Sequence, residues 1–242
     1  MKTKIILLFI FCTVFISTAH CQSKSHNKEY QKFRLSSNAG LDFLLGNSNT
    51  VLYSSLIGNF TLPNASSGFG IGFDGAYFFT KNYGIGIKYH FYTSDGKDET
   101  VKPDEIYEMT YQKLTFNEKT HFVGPTAHAR CFLFNSKLEF SANMGIVFLY
   151  NKLSKITSEI KRPYPTEVTI ENWWMYGENV SFDDTNGTTF GFTASTGICY
   201  KITSTLGVGL RADGFFSSLS SNDYIERQIN RIGISAEINI NF

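Results

Sequence analysis

The feature that most constrains this chain is a period-two alternation of apolar and polar residues, recurring eight times after residue 30. No helical stripe persists there. Successive side chains of a strand point to opposite faces, so each such segment has one greasy face and one polar face. The first segment sets Phe33, Leu35, Leu41 and Phe43 against Arg34, Ser36, Asn38 and Asp42. The second covers about 68–79, the third starts at Tyr83, and the fourth covers about 120–134. The fifth runs from Leu138 to Tyr150, the sixth covers about 188–202, the seventh about 205–217 and the last about 232–242.

Strand length selects among all-β architectures. These segments run roughly 10–15 residues. Strands of a soluble sandwich have about 5–6, and a tilted strand that crosses a bilayer has about 9–11. The apolar face holds large aromatics; the other holds Gly, Ser, Asn and scattered charges. A soluble barrel turns its apolar face inward. A membrane barrel does the reverse, because hydrocarbon is its solvent and every backbone polar group must pair around a closed ring. Connections alternate in length: 46–67, 93–119, 151–187 and 217–228 are long, whereas 80–82, 135–136 and 203–205 are short. The reading is all-β: an eight-stranded antiparallel up-and-down transmembrane β-barrel over 33–242. Its short turns face the periplasm and its long loops the exterior.

The first 21 residues read as an address. Lys2 and Lys4 precede an apolar run, Ile5 to Ile16, and Ser17, Thr18 and Ala19 follow. This is the pattern of a secretory signal peptide, and the run is short for a spanning helix. Cleavage is placed after Cys21, leaving 22–32 as a periplasmic N-terminal segment. Acylation of Cys21 is the alternative, but His20 stands where a lipobox has a small residue. Charged residues are 18% and aromatics 16%, with a net charge of +1. That excludes a disordered chain and a nucleic-acid coat. A mean hydropathy of −0.13 excludes a polytopic helical membrane protein.

On these residues the chain resembles the small OmpA/OmpX-type outer-membrane barrels, and more narrowly the porin-family proteins of Gram-negative bacteria that carry an outer membrane beta-barrel domain. The resemblance covers about 30–242 and is sharpest in the last strand, apolar at alternate positions from Ile232 to Phe242. It implies residence in the outer membrane among its lipids. It also implies a C-terminal signal, here Ile238, Ile240 and Phe242, read by the barrel-assembly machinery. No cofactor is expected. With the chain ending on that strand, no appended peptidoglycan-binding domain is expected either.

A barrel of eight strands is narrow enough for side chains to fill. Parity sends Arg34, Asp42, Asp74, Lys88, His90, His128, Arg130, Glu139, Arg211, Asp213 and Glu237 into it. Mixed signs suit a lumen charge network; a gated path for protons or small solutes is the alternative. A three-residue turn at 80–82 sets Asp74 opposite Lys88, with His90 diagonal. A two-residue turn at 135–136 sets Arg130 opposite Ser141 and diagonal to Glu139. Tyr77, Tyr83, Tyr89, Tyr150 and Tyr200 read as girdle residues at the headgroup level.

The loop 151–187 carries Trp173, Trp174 and Tyr176, the chemistry of a binding hot spot; packing on the rim is the bland alternative. Asp183-Asp184-Thr185-Asn186-Gly187 lacks the distal Glu of a calcium loop, and no metal is expected. A lipid-A-modifying enzyme would have to use His121, His128, Ser141 and Glu139. Parity puts the last three towards the periplasmic end, away from its substrate. The leading reading is therefore non-enzymatic: envelope structure, or binding of an extracellular ligand or envelope protein through the long loops. The rivals are a narrow pore, a lipid-A enzyme and an accessory subunit of a secretion complex. Cys131 faces outward and Cys199 inward, with a strand between. That puts them roughly 9–10 Å apart, beyond the reach of about 7 Å for a disulfide, so two free thiols are expected.

Overall fold

The computed structural model describes residues 30–45, 50–54, 58–62, 67–102, 110–134, 136–161, 178–182, 185–220 and 226–242. The elements are β1 (Phe33–Leu44), β2 (Thr50–Ser54), β3 (Gly58–Leu62), β4 (Ser67–Phe78), β5 (Tyr83–Lys102), β6 (Thr110–Leu133), β7 (Leu138–Lys161), β8 (Glu178–Phe182), β9 (Thr185–Lys201), β10 (Leu206–Ser220) and β11 (Glu226–Asn241). All strand pairs are antiparallel.

Eight of them close a ring in the order β1, β4, β5, β6, β7, β9, β10, β11. The last strand returns to the first, with Leu35 opposite Ile240 and Leu41 opposite Ile234. Closure leaves no bare strand edge, which is what a wall in hydrocarbon requires. β2 and β3 form a separate hairpin. β8 takes the place of β9 beside β7 above Leu153.

The turns have local causes. Thr80 Oγ1 accepts from the Tyr83 backbone N–H at 2.9 Å, and Thr203 Oγ1 from that of Leu206, also at 2.9 Å. Hydroxyls that satisfy the backbone in this way substitute for the missing ladder. At the β6–β7 turn, Phe134 and Ser136 take the left-handed conformation, with φ of 50° and 65°. Higher up, Thr115 pairs with Thr157 but Asn117 with Ser154, so β7 carries one extra residue. Lys155, at φ 53°, lies in this bulge.

The two faces follow the sequence parity. Outward residues are apolar and exposed: Ile87 is 64% exposed, Leu210 61% and Ile234 59%. The inward face buries Arg34, Lys88, Arg130 and Arg231 to 1% exposure or less. Burial is thus inverted relative to a soluble domain, where large apolar residues go inside and charges stay out.

Two expectations change. The strands outrun the period-two segments: β5 reaches Lys102, β6 starts at Thr110 and β7 reaches Lys161. The stretches 93–119 and 151–187 are therefore partly sheet. Outside hydrocarbon a ladder needs no apolar face, so alternation fades (Lys97-Asp98-Glu99) while backbone pairing continues. The cysteines also differ. Cys199 is free and buried, but Cys131 is disulfide-bonded, with the other half of the bridge outside the described residues. The expectation of two free thiols weighed Cys199 alone as the partner, and that partnership is not formed.

The inverted surface generates a test. Ile87→Arg puts a cation on the outer wall and should lower unfolding stability in lipid vesicles by about 2–4 kcal/mol. Ile87→Leu should leave it within error.

Candidate functional site

The inward side chains stack in tiers. At mid-height, Arg211 of β10 donates through Nη1 to Asp74 of β4, and through the same nitrogen to Glu237 of β11 at 3.3 Å. Its Nε donates to Asp213 at 2.9 Å and its Nη2 to Ser195 of β9 at 3.2 Å. Lys88 of β5 reaches the same Asp213 and Ser195, each at 2.5 Å. Asn38 of β1 donates to the other Asp213 oxygen at 3.2 Å. Side chains from six strands therefore meet at one level. A guanidinium suits this role because its planar donors can serve several carboxylates at once.

The tier below, toward the short turns, holds Arg34, His128, Arg130, Glu139 and Lys201. Arg34 pairs with Glu139 at 3.0 Å, and its second nitrogen lies 3.1 Å from His128 Nδ1. The other His128 nitrogen lies 2.8 Å from Thr126 Oγ1. Arg130 lies over the Phe78 ring at 3.7 Å and donates to the carbonyls of Lys81 and Gln31.

Above mid-height the lumen turns apolar. His90 pairs with Asp42 at 2.6 Å and packs on Phe215. Phe215 stacks on Phe122 with centroids 4.3 Å apart, and Val147, Leu149 and Ile229 complete a buried apolar cluster. Gly70 and Gly233 flank Asp42, and a methyl at either would collide with its carboxylate. Over the cluster, Arg231 meets Glu118 at 2.8 Å and lies on the Tyr92 ring at 3.4 Å. Asn151 donates to Glu118 and to Thr120.

All eleven residues that parity sends into the lumen are buried. The expected registers hold, with Asp74 opposite Lys88 and Arg130 opposite Ser141. The ion pairs do not follow those registers: they span the lumen, Asp74 to Arg211 and Lys88 to Asp213. Sequence reasoning missed Glu118, Thr120, Asn151, Arg231 and the Phe122–Phe215 stack. Continuing the parity of β6, β7, β10 and β11 beyond the apolar belt would have found them. Described inward cations Arg34, Lys88, Arg130, Lys201, Arg211 and Arg231 match carboxylates Asp42, Asp74, Glu118, Glu139, Asp213 and Glu237 in number.

The set considered for lipid-A chemistry is not assembled. Both nitrogens of His128 are engaged by Arg34 and Thr126, and Glu139 by Arg34. His121 sits on the outer wall with Tyr89, Phe91 and Tyr150, its Nδ1 2.9 Å from Tyr89 Oη. Trp173, Trp174, Tyr176 and Asp183-Asp184 lie outside the described residues, as do residues 1–21, expected to be a signal peptide.

No family profile matches the chain, and no curated protein does. Among solved structures it is similar to neisserial surface protein A, at 14% identity over 87% of this chain and 97% of that one, with a TM-score of 0.41. It is also similar to OprG of Pseudomonas aeruginosa, at 7% identity over 88% and 97%, with a TM-score of 0.46. Ail of Yersinia pestis shows 11% identity over 86% and 99%, with a TM-score of 0.35. The described residues themselves form a closed, eight-stranded antiparallel β-barrel.

Removing one partner from a buried network leaves uncompensated charge and costs about 3–5 kcal/mol. Arg211→Ala should lose that much in urea unfolding from vesicles. Adding Asp74→Ala should recover part of the loss, so the pair should be less than additive.

Proposed function

We propose that the chain is a non-enzymatic integral outer-membrane protein, exported by its leader. It serves envelope structure or surface binding through the segments at the end opposite the short turns. Its wall takes outer-membrane lipid as solvent. An outer groove of about 430 Å³, edged by Leu35, Phe73, Ile87 and Ile240, has the size and chemistry for acyl chains. Assembly uses the last strand, with Ile238, Ile240 and Phe242 outward and exposed. Trp173, Trp174 and Tyr176 are the candidate loop contacts for an extracellular ligand or envelope protein.

One observation carries this reading over the pore: the lumen is crossed by two successive obstructions. The Arg211 network spans it at mid-height, and the Phe122–Phe215 cluster lies above. An ion passing through would have to break buried pairs and then enter an apolar layer, and desolvation opposes both steps.

Purified protein reconstituted in planar bilayers should give no steady single-channel steps at moderate voltage. Regular, voltage-independent openings of one size would favour the pore instead. Heat-modifiable migration on a detergent gel verifies that the sample is a folded barrel.

A further inference from the structure

The lumen charges balance as a whole but not at each level. At the end that carries the short turns, Arg34, Arg130 and Lys201 share a single carboxylate, Glu139. Glu139 sits 3.0 Å from Arg34 and 3.8 Å from Lys201. Arg130 is buried, yet it forms no ion pair among the described residues. Its Nε and Nη2 go to backbone carbonyls, and its Nη1 has no partner.

Arg130 and Lys201 are held close to each other. Lys201 Nζ lies 4.4 Å from the Phe132 ring centroid, and the Arg130 guanidinium 5.2 Å from the same centroid. Gln31 braces both. Its carbonyl accepts from Arg130 at 2.5 Å, and its side-chain oxygen from Lys201 at 3.4 Å. Its amide nitrogen is tied to the Ser204 carbonyl at 2.6 Å. Burying charge is costly unless it is paired, so three cations on one carboxylate, with one guanidinium nitrogen unused, leave this level short of negative charge. The surrounding rim has the same sign. Lys32 before β1, Lys81 in the β4–β5 turn and Lys137 in the β6–β7 turn belong to segments at this same end. Glu139 is the only acidic side chain in 30–34, 78–84, 136–140, 199–207 and 239–242.

We propose that this mouth is a recognition site for an acidic peptide segment of another envelope protein. Arg130 and Lys201 take one anchoring carboxylate, and the rim lysines steer its neighbours. A peptide fits better than a single small anion, because the cations come from five separate segments at this end of the barrel. Arg130 Nη1 is buried and unpaired, so a carboxylate that reaches it has to enter the mouth beside Lys201 rather than meet a surface fork. Calling this end periplasmic rests on the outer-membrane reading; the binding chemistry does not.

The test uses full-length protein in detergent micelles and a fluorescent octaglutamate peptide, read by anisotropy. Binding should weaken steeply with salt. Arg130→Gln combined with Lys201→Gln should raise Kd at least tenfold, Lys137→Gln alone a few-fold, and Lys119→Gln at the far end not at all. Heat-modifiable migration keeps loss of folding apart from loss of binding. Equal affinity in the double variant would overturn the site. Competition by inorganic phosphate as effective as that by unlabelled peptide would overturn the peptide.

Discussion

The structure depends on one exclusion: charge that cannot face hydrocarbon must be neutralised inside a narrow ring. Arg211 is where that constraint is met. It gathers Asp74, Asp213 and Glu237 from three strands. Lys88 then shares Asp213. Such a network is not a large source of net stability, since well-packed apolar residues can do as well. It ties distant parts of the wall together, and strands that slipped in register would misplace its members.

Glycine on the inner wall serves the same end. Charged side chains need room in a barrel this narrow, and Gly70 and Gly233 provide it beside Asp42. The outer wall asks the opposite of its residues. Bulk there meets lipid, so Phe, Ile and Leu recur at alternate positions. Gly70 and Gly233 inside, and Phe33, Phe69 and Phe73 outside, thus answer two solvents on the two faces of one sheet.

Parity was legible because lipid enforces it on every membrane-spanning strand. Phe33 to Phe43 on β1 and Ile232 to Ile240 on β11 could be placed by alternation alone. Neighbour registers were legible too, because short turns fix them: Asp74 does lie opposite Lys88. Ion partners were not. Asp74 reaches Arg211 on a strand far along the ring, and that contact depends on closure and tilt, which no local spacing encodes. The upper ends of β5, β6 and β7 were illegible for another reason. Past the bilayer the outer face meets water and is no longer apolar, so Glu118 and Asn151 look like loop residues although they lie in strands and are buried in the lumen.

The inverted arrangement of faces is tested most directly by a spin-label scan of single-cysteine variants from Gly233 to Asn241 in lipid vesicles, on a background with the native cysteines replaced. Oxygen, which concentrates in hydrocarbon, should relax the labels at Ile234, Ile238 and Ile240 strongly. It should relax those at Ser235, Glu237 and Asn239 weakly, in a clean two-residue period. The same period in opposite phase, or none at all, would contradict the account.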